Sequence, residues 1–228
     1  PRAHWARFFA DFSSRPRHDI RDRQAAAERQ IKDSGVTYNV YADPRGMDRP
    51  WDLDVLPLII APEEWRQIEA GIVQRATLFD RVLGDLYGEQ SLLASGEIPP
   101  GLVLAQSGFL HAAHGMKLAS GVNLHMYAAD LARAPDGRWW VTADRTQAPS
   151  GNGYALENRL IVSRTFPDLF RDLGIQRLAG FFAAMRDSLL YFAPKGDSQT
   201  LCVLLTPGPY NETYFEHALL ARYLGFPL

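Results

Sequence analysis

Residues 126–159 hold the feature that most restricts how this chain can fold, namely two short β-type runs joined by a tight turn. The first run is Met126 to Arg133, and the second is Arg138 to Thr142, which contains two adjacent tryptophans. Ala134-Pro135-Asp136-Gly137 separates them and places Asp and Gly where a left-handed backbone is tolerated. The pattern predicts a β-hairpin.

This hairpin would carry two carboxylates. Asp130 lies on the first strand and Asp144 lies just past the second, so the hairpin is expected to bring them side by side. Two nearby carboxylates suit Mg²⁺, which completes its octahedron with phosphate oxygens and water. Arg145 is well suited to contact those phosphates. We therefore predict a metal and phosphate site at the hairpin.

The segment after the hairpin is rich in groups that bind phosphate. Its backbone N–H groups and its hydroxyl are candidate phosphate donors. The candidate binding residues are Thr146, Ser150, Gly151, Asn152, Gly153, Glu157, Asn158 and Arg159. A simpler interpretation is that Asp144 and Arg145 form a surface ion pair and that the glycines only interrupt a loop. The residues alone leave both interpretations open.

Hydrophobic periodicity and loop residues predict the remaining elements. Extended structure is expected over 47–61, where Pro50 and Pro57 exclude a helix. Arg75 is expected to be solvated or to cap a helix. The nearly all-apolar run Leu201–Leu205 is typical of a parallel strand buried on both faces. Helices are predicted over 1–13, 22–34, 62–78, 79–95, 166–173, 175–192 and 211–224, and further strands over 36–41, 102–106 and 160–163.

Composition narrows the function classes. The chain has 24 Lys and Arg against 26 Asp and Glu, which argues against a nucleic-acid-binding face. A single cysteine, Cys202, permits no internal disulfide and indicates a cytoplasmic protein. No stretch approaches the roughly 20 apolar residues that span a bilayer. The spacing of His111, His114 and His125 matches no helix-borne zinc motif.

Four segments of the sequence resemble the circularly permuted ATP-grasp proteins, relatives of glutathionylspermidine synthase-like ligases. They are VTYNVYADPRGMDRPWDLDVLPLII, EEWRQIEAGIVQRATLFDRVLGDLYG, YAADLARAPDGRWWVTADRTQAPSGNGYALENR and VLLTPGPYNETYFEHALLARYLG. The resemblance implies an α/β (α+β) fold, with an ATP-grasp-like mixed sheet, a hairpin and flanking helices, in residues 1–195. It implies a helical region over 1–100 and the metal and phosphate hairpin at 126–159. Residues 196–228 would begin a Rossmann-like pre-ATP-grasp subdomain.

The resemblance also implies site residues. Asp130 matches the first metal-binding position, Asp144 the position usually held by Glu, and Thr146 the position usually held by Asn. Ala128 stands where an arginine often precedes the first Asp. The implied catalytic residues are Arg145 and Arg159, and the implied cofactors are ATP and Mg²⁺.

The activity implied by the resemblance is that of an ATP-dependent ligase that activates a carboxylate as an acyl phosphate for attack by an amine. The chain lacks an initiator Met and ends on Gly225-Phe226-Pro227-Leu228, so we expect it to be part of a longer protein and inactive alone. The expected partners are the nucleotide, a small carboxylate or amine substrate and the remaining C-terminal part of the protein. The alternative is a non-catalytic binding or assembly domain that retains the fold.

Overall fold

A computed structural model describes residues 3–41, 49–118, 120–193 and 200–228, with the backbone alone for residues 3 and 4. The chain divides into two compact units. The first unit comprises Pro1–Ile59 and Ser150–Leu228, and the second comprises Ile60–Pro149. The domain boundary predicted near residue 195 falls within 194–199, outside the described residues. That boundary stays a prediction.

The part of the first unit that the structure describes consists mainly of helices. Hydrophobic side chains of its helices and of two extended segments form the larger core cluster. A smaller cluster contains Leu156, Phe182 and Leu224. The helices are α1 (Ala3–Ser14), α2 (Arg17–Asp33), α6 (Asn152–Thr165), α7 (Pro167–Asp172), α8 (Ala179–Phe192) and α9 (Tyr214–Leu224).

The aromatic face predicted at the N-terminus is confirmed. Phe8 is 3% exposed, stacks on Phe12 with ring centroids 5.7 Å apart and meets the edge of Phe166 at 6.3 Å. The next predicted helix is also present as α2 and ends before Gly35, whose φ of 65° suits glycine. It begins five residues earlier than predicted, because Pro16 occupies the position before its first turn.

The second unit pairs a long helix with the hairpin. Here α3 runs unbroken over Pro62–Leu86, so the prediction of two helices meeting at residues 78 and 79 is wrong. Pro62 in the first turn and the adjacent acids start it as expected. The unit also contains α4 (Ser91–Ala94), α5 (Pro100–Leu104), a 3-10 turn at His111–Ala113, β1 (Ala128–Arg133) and β2 (Trp139–Arg145).

Four strand predictions fail. Residues 102–106 overlap α5, and residues 160–163 lie inside α6. Residues 36–41 contain one isolated bridge, Thr37 to Pro50. Residues 201–205 are extended but lie in no strand of the described chain, and Leu205 is 93% exposed, so this run is not buried. No helix in the described ranges is both long and apolar enough to cross a bilayer.

Candidate functional site

The predicted hairpin is present. β1 and β2 pair antiparallel. β1 starts two residues later than predicted and ends where expected, whereas β2 starts one residue later and ends three residues later. Asp144 therefore lies inside β2 rather than beyond it. The turn forms where expected, with a φ of 90° at Gly137 and a hydrogen bond from Ala134 N to Arg138 O at 2.8 Å. The Asp136 carboxylate supports it by accepting from Arg138 N at 3.0 Å.

The hairpin has two chemically different faces. Asp130 lies opposite Ala143, whereas Asp144 lies opposite Ala129. Because side chains alternate along a strand, the two aspartates point to opposite faces. The expectation that the hairpin holds them side by side is therefore wrong: a one-residue difference in register moves a side chain to the other face.

The face that carries Asp144 lies towards α3, and we call it the inner face. Arg75 of α3 donates to both oxygens of Asp144, from Nε at 2.9 Å and from Nη2 at 2.5 Å. The Tyr127 hydroxyl also donates to this carboxylate. Further along the same face Arg133 binds Glu64 of α3 at 2.6 Å. These contacts attach the hairpin to the helix.

Hydrogen bonding from Arg75, and then from Tyr127, holds the pKa of Asp144 below its usual value. Asp144 in turn raises the pKa of Arg75. Burial, followed by the hydrogen bond to Asp144, raises the pKa of Tyr127. Asp144 is thus a carboxylate whose charge is already matched by a bidentate guanidinium.

The opposite face of the hairpin, which we call the outer face, carries Asp130 and Arg145. Arg145 donates to Asp130 from Nε at 3.1 Å and from Nη2 at 2.7 Å. This bond lowers the pKa of Asp130 and raises that of Arg145. The side chains of Asp130 and Arg145 are 45% and 56% exposed, against 23% for Asp144 and 38% for Arg75. The outer pair is therefore the more accessible to a ligand.

The residues fit Mg²⁺ in one way and not in another. The two aspartates cannot share an ion from opposite faces, and the described residues contain no group of three or more His, Cys, Asp and Glu that could hold a metal. Mg²⁺ is, however, commonly bound by one carboxylate together with substrate phosphates and water. Asp130 meets that requirement: both aspartates accept a bidentate arginine, but the Asp130 pair is the more exposed, whereas Asp144 also accepts from the Tyr127 hydroxyl.

The predicted phosphate loop is the start of a helix, and two of its amides are already bonded. The buried Glu216 carboxylate of α9, 2% exposed, accepts from Gly151 N at 2.8 and 2.7 Å and from Gly153 N at 2.9 Å. A carboxylate at a helix N-terminus satisfies free N–H groups and complements the dipole. Glu216 thus occupies the position where phosphate was expected.

The local structure accounts for the presence of glycine at positions 151 and 153. Gly151 has a φ of 110°, which disfavours any residue with a Cβ. A Cβ on Gly153 would lie 3.0 Å from the Cα and the Cγ of Glu216. These residues therefore allow α6 and α9 to approach closely and the carboxylate to reach the amides.

Three further candidates lie along α6, in the first unit. Glu157 is 7% exposed. The Asn158 side-chain oxygen accepts from Trp51 Nε1 at 2.8 Å. Arg159 donates to Gln176 O at 2.7 Å and lies over the Phe170 ring, and burial lowers its pKa. These contacts serve packing, and the assignment of the three residues to ligand binding stays a prediction.

The side chains of Thr146, Ser150 and Asn152 make no hydrogen bond to any residue within the described ranges. Thr146 directly follows Arg145, the last residue of β2. Ser150 and Asn152 flank Gly151 in the first unit. Their polar groups are therefore free of other described residues. Their assignment to phosphate binding also stays a prediction.

Sequence reasoning missed three residues that determine this geometry. Arg75 was expected to be solvated or to cap a helix, yet it binds Asp144 from 69 positions away. The sequence predicts only that Tyr127 lies in a strand and that Glu216 lies in a helix. Hydrogen bonds over such separations leave no local pattern. The one available signal for Glu216 was a charged residue within a helix that is otherwise mostly apolar.

Comparisons with known proteins agree with the resemblance seen in the sequence. The chain is 45% identical over 179 residues to an uncharacterized protein of Mycobacterium tuberculosis, covering 78% of this chain and 20% of the relative. It is 38% identical over 209 residues to an uncharacterized protein of a Synechocystis species, covering 92% and 44%. A second M. tuberculosis protein, also uncharacterized, is 34% identical over 220 residues, covering 96% and 39%.

The chain thus spans between a fifth and somewhat less than half of the length of these relatives. The family model for circularly permuted ATP-grasp type 2 proteins matches residues 57–228, which include the hairpin, the glycine-rich start of α6 and all of α9. This chain belongs to the circularly permuted ATP-grasp type 2 family.

Proposed function

We propose that this chain forms part of an ATP-dependent carboxylate–amine ligase and that the outer face of its hairpin contacts the polyphosphate of ATP. The ATP-grasp family in general binds ATP and Mg²⁺ and indicates an ATP-dependent ligase. Because the chain covers 20–44% of its relatives' length, the activity is proposed for the whole protein. A Rossmann-like fold for residues 196–228 belongs to the same proposal.

The observation that carries the proposal is the exposed, bidentate pair of Asp130 and Arg145. An exposed ion pair contributes little to stability, so its partners can exchange at low cost. Arg145 can turn from Asp130 to phosphate oxygens, which match the planar guanidinium equally well. Asp130 is then free to act as the single protein carboxylate of a Mg²⁺ site.

The chemistry expected at this face is electrostatic. Phosphoryl transfer to a carboxylate depends on positioning and on neutralising charge, not on covalent help from the protein. Bound Mg²⁺ would supply part of that neutralisation. Arg145 would bind and orient the phosphates, and the free hydroxyl of Thr146 would offer one more donor beside them.

The second candidate is a binding or assembly domain without catalysis. Two observations favour it: the aspartates do not converge, and Glu216 fills the start of α6. This candidate predicts that removing the charge of Asp130 or of Arg145 does not change the affinity for nucleotide.

The test is calorimetric titration of the full-length protein with MgATP, with variants that keep side-chain size. We expect Asp130→Asn to weaken binding about tenfold, whereas Asp144→Asn, the matched change on the inner face, changes affinity less than about twofold. Equal affinities in wild type and Asp130→Asn would reject the outer-face assignment. Formation of a hydroxamate with hydroxylamine, dependent on ATP and a carboxylate, would separate a ligase from a binding domain.

A further inference from the structure

A separate cleft of about 210 Å³ lies within the first unit. One wall comes from the segment before residue 42 and the other from the loop and first turns of α9. It contains neither the hairpin residues nor the glycine-rich start of α6. The residues that matter for its chemistry are Thr37, Asn39, Tyr41, Glu212, Tyr214 and Phe215.

The walls of this cleft are tied together. The Tyr41 hydroxyl donates to Pro209 O at 2.6 Å across the rim and accepts from Asn39 Nδ2 at 3.3 Å. Behind the wall, the Tyr154 hydroxyl donates to Thr37 O at 2.7 Å. Such bonds hold the cleft open in one shape, which lowers the ordering cost of binding a ligand.

The loop that forms the second wall is also fixed. Both ring nitrogens of His217 are bonded to hydroxyls, Nδ1 to Thr206 at 2.9 Å and Nε2 to Thr213 at 3.2 Å. Thr213 in turn donates to the Asn211 side-chain oxygen at 2.7 Å. The backbone that carries Glu212 therefore lies between two anchored residues.

Among the described residues that line the cleft, the charge has one sign. Glu212 is the single charged side chain among the described lining residues, and its carboxylate has no hydrogen bond or ion pair with any residue in the described ranges. The aromatic rings of Tyr41, Tyr214 and Phe215 supply the apolar lining. An anion would find no cationic side chain among these lining residues. A cation would meet a lining that contains one carboxylate and three aromatic residues, and both kinds of group attract ammonium ions.

We propose that this cleft binds a small organic cation with a primary ammonium group. Glu212 supplies the counter-charge, and the aromatic rings contact the carbon chain. The volume lies below the roughly 300–1,000 Å³ of typical ligand pockets, which limits the ligand to a few carbon atoms. A ligand of that size binds with a dissociation constant on the order of 1 mM.

The test uses three probes of matched size without nucleotide, namely n-butylammonium, n-butanol and butyrate, followed by calorimetry and by ligand-observed saturation-transfer NMR. We expect saturable binding of n-butylammonium and at least about tenfold weaker binding of the other two. Glu212→Gln should weaken the ammonium at least about tenfold. The control is Glu28→Gln, an exposed change on α2 of the same unit, which should leave the affinity unchanged.

Equal affinity for the three probes, stronger binding of butyrate, no saturable binding, or an unchanged affinity in Glu212→Gln would each overturn the proposal. The comparison of probes on the wild-type protein does not depend on how any variant folds. Since ATP is absent, failure of this proposal and failure of the ligase proposal are distinguishable.

Discussion

The buried carboxylate of Glu216 and the exposed carboxylate of Asp130 form similar bonds in very different surroundings. Glu216 is 2% exposed and joins α9 to the start of α6 through Gly151 N and Gly153 N. The Asp130 side chain is 45% exposed and faces one arginine. Removing the buried acceptor leaves two donors unsatisfied, whereas the exposed pair can exchange with ligands. The buried carboxylate of Glu216 therefore has a structural role, whereas the exposed carboxylate of Asp130 is suited to ligand binding.

The largest effect is expected from Glu216→Ala. One buried N–H group, of Gly153, and one partly buried N–H group, of Gly151, would lose their acceptor, so we expect the free energy of unfolding to fall by about 3 kcal/mol. Urea denaturation monitored by circular dichroism measures it. Glu28→Ala, at an exposed position, should change it by less than about 0.5 kcal/mol. Similar effects in the two variants would break the comparison.

Gly153→Ala tests the close approach of α6 and α9. The new Cβ would lie 3.0 Å from Glu216 Cα, so we expect a loss of about 1–3 kcal/mol. Gly180 provides a matched control because it is also the second residue of its helix and a Cβ at this position would have no atom within 4 Å beyond its own helix. Gly180→Ala should be neutral or stabilising by up to about 1 kcal/mol. Thermal denaturation of both variants would show whether the difference exists.

The pH dependence of the free energy of unfolding tests whether the Asp144 carboxylate is stabilised in its charged form. The folded pKa of Asp144 is lowered by Arg75, so the stability that it contributes is present above the unfolded value, about 3.9, and is lost as pH falls through the folded pKa. Asp144→Asn should therefore flatten, without abolishing, the decline of unfolding free energy below about pH 4. Denaturant midpoints over a pH series give the slope, and an unchanged slope would show that Asp144 is not stabilised.

The smallest effect is expected from Arg75→Gln, which removes the guanidinium bound to Asp144. Because both side chains are partly exposed, the loss of global stability at neutral pH should be small. Local opening of the hairpin should increase, however, and hydrogen exchange of amides in β1 and β2 should become faster. Arg66→Gln, an exposed change on the same helix, is the control. Identical exchange rates in the two variants would mean that Arg75 does not hold the hairpin.

The sequence predicted elements whose signals are local. Asp136 and Gly137 mark the turn, and the aromatic spacing around Phe8 marks α1. Two short apolar runs, 102–106 and 160–163, gave wrong strands, because four or five residues cannot distinguish a strand from a helix turn. Pro100 in the first turn of α5 favours the helix in the first of these cases.

The candidate site could be predicted only in part, because some of the contacts that form it leave no local signal in the sequence. The residues of the hairpin could be named from the sequence. The face on which each side chain lies depends on the strand register, however, and a one-residue offset in that register places Asp130 and Asp144 on opposite faces. The bond from Gly151 to Glu216 joins residues 65 positions apart and has no local sequence signature.

The measurement that tests the central claim most directly is titration of the labelled full-length protein with MgATP, observed by two-dimensional NMR. The signals to follow are Arg145 Nε and Arg75 Nε, with the amides of Gly151 and Gly153. We predict that Arg145 Nε shifts on binding, whereas Arg75 Nε and both glycine amides keep their positions because Asp144 and Glu216 still hold them. Shifts confined to the glycine amides, with Arg145 unchanged, would contradict the account.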